Sequence, residues 1–375
     1  MKPTTFKQHI YTLSLLVFLA LPAFVYSSNG PGCGFDEYVK TYDGTFAINQ
    51  SGAVKLLNRH GFIKVTHHNR NEVEIDVRVV VQARDQQAAN KVFDRIGVSM
   101  NGSEARVTAQ TSIRVNNNSW DHGEFKVEYN VRLPTSVELD IDAKYCDVYV
   151  DDHEGRAQMM IKYGDLFAES FSDYSQIRLE YGDAEIDRLG NTAQISMSYG
   201  DLDLNDAGDL DLRLRYSDTE IDRVSSLNLD HRYGELEIET AGDVFIDAGY
   251  IDIEIDEVAN IRARSQYSEY AIGSVRGNVD IETGYGDIDI ETLHRGFQEV
   301  KIRGNYSDVE INVESGYSYE FSGYAAHGSL SVPSNLAVNR REDGGSSRTI
   351  EGRLASSGSG GNIHIWTNYG DIEID

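Results

Sequence analysis

Two cysteines, two tryptophans and five prolines stand in a chain of 375 residues, and each scarcity removes a class of explanation. Two cysteines exclude a disulfide-dense scaffold and a cysteine-built zinc cluster. Five prolines argue against a disordered or mucin-like stalk. Basic residues are also few: 34 Lys plus Arg face 61 Asp plus Glu, for a formal net charge of −27. Nucleic acid is thereby excluded as a partner for the chain as a whole, because binding it needs a basic footprint. Beyond Val25 no stretch is long and apolar enough to span a bilayer. The apolar share is 40%, which still permits a continuous core, so the surplus charge belongs on an ordered surface.

The one long apolar run lies at the start. Lys2 and Lys7 precede "IYTLSLLVFLALPAFV" (Ile10 to Val25), and the polar "YSSNGPG" follows. That is the layout of a secretory signal peptide over residues 1–27, with Val25 and Ser27 ahead of a cut near Ser28. A membrane anchor would need about 20 apolar residues, and this shorter run also contains Pro22. The expected location is therefore outside the cytoplasm: periplasm, outer-membrane surface or extracellular space. In such a compartment Cys33 and Cys146 can form one disulfide tying an N-terminal arm to the body. Cys33 as a lipid attachment site is the weaker reading, since Gly30-Pro31-Gly32 precedes it.

What the chain has in abundance is a repeat. Tyrosines recur at Tyr145, Tyr163, Tyr181, Tyr199, Tyr216, Tyr233, Tyr250, Tyr267 and Tyr285, 17 or 18 residues apart, then at Tyr306 and Tyr369. Two residues after each stands an acid, among them Asp183, Asp201, Asp218, Glu235 and Asp252. Four residues after most stands another, among them Asp203, Glu220, Glu237 and Glu254. The positions between are mostly apolar, as in Leu202 with Leu204 and Ile253 with Ile255. Strict alternation of this kind marks a strand with one wet and one buried face. A second strand precedes each tyrosine, with pairs such as Leu210 with Leu212 and Val244 with Ile246. Extending its parity puts the tyrosine rings inward, with a residue after each that is usually Gly or Ser letting the chain turn.

A unit this short cannot bury its apolar face alone, so like strands are expected to stack in parallel. The fold class read from this is all-β: a single-stranded parallel β-helix, or β-solenoid, with coils of 17 or 18 residues, right-handed by the preference of parallel crossovers. The expected organisation is a signal peptide (1–27), an arm (28–37), N-terminal coils (38–136), the tyrosine repeat (137–338), a Gly/Ser-rich loop (339–361) and a final coil (362–375). One short helix is expected over residues 85–97, with Asp85 as N-cap, Ala89, Val92, Phe93 and Ile96 on one face, and Gly97 as the stop.

At this point the residues resemble a family: the β-strand-repeat proteins of unknown function labelled "putative adhesin", exported proteins of Bacteroidetes-type bacteria. The likeness rests on "GFIKV", "NEVEIDVRVVVQA" and "AANKVFDRIGV" near the start, "VEYNVRLPTSVELDIDAKYCDVYV" (Val127 to Val150), the tandem Tyr-Gly-Asp phrases and the closing "IHIWTNYGDIEI". The resemblance implies an envelope-facing protein and supplies no catalytic residues.

No nucleophile motif, phosphate loop or Cys/His metal spacing is present, and the acids recur uniformly instead of clustering as carbohydrate-cleaving chemistry requires. His67 and His68 are adjacent on a strand and point to opposite faces, a poor start for a shared metal. Arg178, Arg213, Arg264 and Arg303 hold one outward position in their repeats. They read as charge compensation on an acidic surface, with a track for anionic sugars as the alternative. Stacked carboxylates about 4.8 Å apart repel one another. Salt, staggered rotamers and the arginines can offset this, or calcium can bridge Asp183, Asp201, Asp203, Asp218, Glu220, Glu235, Glu237, Asp252 and Glu254. Calcium is the only cofactor so suggested. The expected function is a non-enzymatic envelope or surface scaffold, adhesin-like, whose acidic ribbed face meets an envelope protein or a glycan. The alternatives are a polysaccharide-processing enzyme and a periplasmic partner of a signalling system.

Overall fold

The computed structural model describes residues 35–114, 124–355 and 360–375. The expected signal peptide, most of the expected arm and Cys33 lie outside the described residues, and with Cys33 the expected disulfide.

Six strands precede the repeat: β1 (Asp36–Ala47), β2 (Ala53–His67), β3 (Glu72–Ala83), β4 (Ile96–Ser103), β5 (Arg106–Ile113) and β6 (Phe125–Leu133), with the helix α1 (Gln86–Phe93) between β3 and β4. Three of their pairings are antiparallel, β1 with β3, β3 with β6 and β4 with β5. The Asp85 carboxylate accepts the Ala88 N–H at 2.7 Å, closing the first turn of α1. Ala88, Ala89, Val92 and Phe93 are buried where α1 meets β1, β3 and β4. The helix is shorter than the sequence predicts, because Ile96 and Gly97 already pair with Ile113 and Ser112 as β4.

The repeat supplies β7 (Glu138–Val150), β8 (Ala157–Lys162), β9 (Leu166–Phe171), β10 (Ser175–Glu180), β11 (Ala184–Ser198), β12 (Leu202–Arg215) and β13 (Thr219–Arg264). Each stacks in parallel on the equivalent residues one repeat away: Ile177 faces Met159 on one side and Ile195 on the other. Leu212 continues that column beside Ile195, followed by Leu229. Every apolar residue thus meets apolar neighbours above and below, and all belong to one continuous core. Register is strongly held, since a slip of one residue would turn the whole apolar set to water.

The chain goes on through β14 (Ser268–Val275), β15 (Val279–Tyr285), β16 (Ile288–Leu293), β17 (Glu299–Tyr306), β18 (Val309–Val313), β19 (Tyr319–Ala326), β20 (Leu330–Ser331), β21 (Ala337–Gly344), β22 (Ser347–Leu354), β23 (Gly361–Thr367) and β24 (Ile372–Ile374). Here sequence order and spatial order part. β23 lies between β17 and β19, in parallel with both, and β24 likewise lies between β18 and β20. The last segment is therefore an interior rung and not the terminal one. β2 does the same at the other end, lying between β7 on one side and β5 and β6 on the other.

The expected single-stranded parallel β-helix is corrected on two grounds. β7 pairs with β8, β8 with β10, β10 with β11, β11 with β9 and β9 again with β7, all in parallel, so five strands close a barrel and the others extend the sheet outside it. The whole is one 24-stranded sheet that is mixed, because β19 with β22 and β21 with β22 are antiparallel as well. The physical reason is that β7 and β11 run on past a corner, where the ladder skips a pair or shifts register, and so pair with different strands on its two sides. Residues 339–361, expected as a loop, are also corrected: they carry most of the β21–β22 hairpin, with residues 356–359 outside the described set.

Candidate functional site

The corner of each repeat builds the most regular surface of the molecule, and it begins with backbone geometry. Seven successive tyrosines, Tyr145 to Tyr250, sit in the left-handed region with φ between 54° and 65°, and His60 and His327 do the same at 64° and 56°. For a residue with a Cβ this costs roughly 1–2 kcal/mol. The following glycine meets a different demand. A Cβ on Gly182 would lie 2.1 Å from the Gly164 carbonyl oxygen, and one on Gly200 would lie 1.8 Å from that of Gly182. At these two rungs a bare Cα is needed, while Cys146, Ser217, Ser268 and Ser307 hold the slot in others.

The expected inward direction of the tyrosines is reversed. Their side chains are 40–51% exposed and stack face to face on the outside. The column runs His60, Tyr145, Tyr163, Tyr181, Tyr199, Tyr216, Tyr233, Tyr250, Tyr267, Tyr285, Tyr306, Tyr369, His327. Centroids are 4.6–5.2 Å apart and ring planes within 13° of parallel. Each contact contributes about 0.5–1.5 kcal/mol, comparable to the strain of the corner it closes. A histidine ends the column on each side. His60 is legible in the sequence, where "RHGFIKV" matches the repeat phrase; His327, which opens the similar "HGSLSV" 21 residues after Tyr306, carries the same signal and is missed. Its neighbour Asp371, accepting the Ser329 N–H at 2.6 Å, shows that the corner is built the same way.

Two residues on from each tyrosine, the acids have a structural duty. Oδ1 of Asp165 accepts the backbone N–H of Asp183 at 3.0 Å, Asp183 accepts that of Asp201 at 2.9 Å, Asp201 that of Asp218 at 3.2 Å and Asp218 that of Glu235 at 3.0 Å. Each carboxylate therefore closes the corner of the next rung. The acids four residues on form a second row beside the first.

Together the two rows line an open trough of ≈ 480 Å³, with Asp183, Asp201, Asp218 and Glu235 on one side, Glu185, Asp203, Glu220 and Glu237 on the other, and Ala184, Leu202 and Thr219 between. Asp252 and Glu254 belong to a neighbouring trough of ≈ 210 Å³ that shares Glu235. Partial burial first, and neighbouring carboxylates second, hold Asp203, Glu220 and Glu237 above the usual carboxylate range. Among the described residues no three His, Cys, Asp or Glu side chains gather in a way that could hold a metal ion. The acids named for calcium are thus brought into rows and not into a chelating cluster.

The remaining candidates fall elsewhere. Cys146 is a buried thiol that donates to the Lys144 carbonyl at 3.3 Å, and burial pushes it up to about 12. His67 approaches His153, with Nε2 3.0 Å from Nδ1, a pairing across 86 residues that no local pattern announces. His68 is not part of it.

Comparison with known proteins adds names and little else. No family model matches the chain, and no curated protein matches it. Among solved structures it is similar to a "putative cell adhesion protein" of Clostridium sporogenes at 10% identity and a TM-score of 0.18, over 90% of this chain and 99% of that one. A "putative adhesin" of Parabacteroides distasonis gives 12% identity and 0.24, over 90% and 97%. A "putative lipid binding protein" of the same species gives 9% and 0.20, over 89% and 96%. The first two of these names match the adhesin label of the sequence resemblance and the third does not, and at such scores none carries an argument about fold or mechanism. No helix among the described residues is long and apolar enough to cross a membrane.

Proposed function

We propose that this is an exported, non-catalytic binding protein of the cell envelope, which presents its ribbed acidic face to a cationic polymer or a basic envelope partner. One observation carries the reading: the same pair of acids recurs rung after rung along the trough from Asp183 to Glu237, with no rung chemically distinct from the next. A single active site gains nothing from such repetition, whereas a linear ligand gains one contact per rung. Burial first and neighbouring carboxylates second raise Asp203, Glu220 and Glu237, and a bound cation offsets both. The apolar N-terminal stretch from Ile10 to Val25 supports export.

Titration calorimetry with poly-L-lysine as the probe tests the binding. Affinity is expected to fall steeply with salt, and the triple variant Asp203→Asn, Glu220→Gln, Glu237→Gln is expected to bind roughly tenfold more weakly. Equal affinity of wild type and variant overturns the assignment to the trough. Fractionation and crosslinking on intact cells test the location, and recovery in the cytoplasm overturns export. Turnover of an acidic glycan by the purified protein would replace this reading with the polysaccharide-processing alternative.

A further inference from the structure

The strand before each tyrosine presents its own outward rows, and in one place they break the acidic rule. Rungs 157–162, 175–180, 193–198 and 210–215 place Gln158, Gln176, Gln194 and Asp211 side by side in one row. In the adjacent row the same rungs place Met160, Arg178, Ser196 and Arg213. These eight side chains surround a concavity of ≈ 140 Å³ on a face separate from the acidic trough. Its centre is Ser196, a short side chain between two long cationic ones. Arg213 pairs with Asp211 at 3.6 Å and faces Asp230 on the next rung, whereas Arg178 has no ion-pair partner among the described residues.

We propose that this dip binds an acidic polysaccharide bearing one carboxylate per disaccharide, lying along the stack with successive carboxylates on Arg178 and Arg213. Four arguments converge on that ligand. The two guanidinium groups stand two rungs apart, about 9.6 Å at the usual strand spacing, and an extended glycan repeats its disaccharide over much the same distance. A planar guanidinium is suited to grip a carboxylate through two parallel hydrogen bonds. Between the arginines the ligand is met by a hydroxyl and by amides, which suit the neutral sugar of each pair. One of these amides is oriented in advance: the Tyr174 hydroxyl donates to Gln194 Oε1 at 3.0 Å, so the Gln194 Nε2 donors are left for a ligand.

The net charge of −27 does not forbid an anionic ligand here. At physiological ionic strength charges beyond about 8 Å are largely screened, and the two rows of the trough lie on the strand beyond the tyrosine corner; the nearer acids, Asp211 and Asp230, sit at the Arg213 end. Elsewhere in the same row the pattern is different. Arg264 and Arg303 are also two rungs apart, but Glu282 lies between them in register, where Ser196 lies between Arg178 and Arg213.

The test is calorimetry in 150 mM salt, with a hyaluronan-type octasaccharide of alternating uronic acid and N-acetylhexosamine as the probe. The acidic oligomer is expected to bind, and its carboxyl-reduced form to bind at least roughly tenfold more weakly. Arg178→Gln and Ser196→Glu are each expected to cost a similar factor, with thermal melts matching the wild type because both positions are on the surface. Arg264→Gln and the trough variant Glu220→Gln are expected to leave glycan affinity unchanged, which separates this site from the acidic face. Absence of binding, equal binding of the carboxyl-reduced oligomer, or an unchanged Arg178→Gln variant would each overturn the proposal. Tighter binding of a sulfated oligomer without the disaccharide spacing would overturn the carboxylate assignment.

Discussion

Tyr216 shows at the scale of one residue how strain and stacking are balanced. Its ring is sandwiched between Tyr199 and Tyr233 at 5.0 and 4.8 Å while its φ is 55°. Tyr216→Ala removes both ring contacts and keeps the strain; Tyr216→Gly removes both and releases it. Chemical denaturation is expected to find the glycine variant more stable than the alanine variant by about 1 kcal/mol, the reverse of their order in an ordinary strand. The histidines give a second prediction. Burial first, and His67 second, push His153 down to about 4, and burial likewise lowers His67 and His231. A histidine depressed in the folded state stabilises above its unfolded value near 6.5 and loses that contribution as pH falls through its folded value. Stability is therefore expected to decline below pH 6.5, for His153 down toward pH 4 by up to about 1.4 kcal/mol per pH unit, with His67 and His231 adding in the same direction. His153→Gln should flatten the slope in a series of melts, and an unchanged slope would locate the loss elsewhere. Tyrosine spacing was plain in the sequence, but ring direction was not. Alternation assumes an unbroken strand, and from Tyr145 to Tyr250 a left-handed residue at the corner inverts the parity.

At the scale of the element, the corner acids combine a favourable and an unfavourable effect. The Asp201 carboxylate accepts the Asp218 N–H, yet it lies in a row of like charges. Asp201→Asn keeps the acceptor and removes the charge, so it is expected to raise the melting temperature at low salt. Asp201→Ala strands a backbone donor and is expected to lower stability by about 1 kcal/mol. If both variants lower it equally, the hydrogen bond is not what the acid provides. The strands themselves were legible, since period-two alternation identifies each buried pair, from Leu210 with Leu212 to Ile288 with Ile290. The β21–β22 hairpin was not, because its residues from Ala337 to Gly344 are exposed on every position and leave no periodic trace. The acidic trough was foreshadowed by its acids, whereas the Gln194, Ser196 and Arg178 dip needed register across rungs, which sequence spacing gives only once the pairing is known.

For the body formed by residues 35–375, the decisive fact is that spatial order departs from chain order at both ends. A repeat read along the sequence suggests that each unit docks on the one before it, and nothing in "NIHIWTNYGDIEID" says that it slides between two earlier units. Removing residues 361–375 should therefore expose β17, β18 and β19 together, raising their amide exchange while β10, β11 and β12 stay protected. Loss confined to the deleted residues would contradict the pairing of β23 with both β17 and β19. The same placement governs the timing of folding. Chains that stack unit by unit can complete each layer as it is synthesised. Here the gap between β17 and β19 stays open until residues 361–367 are in place, so these layers cannot close one by one in chain order.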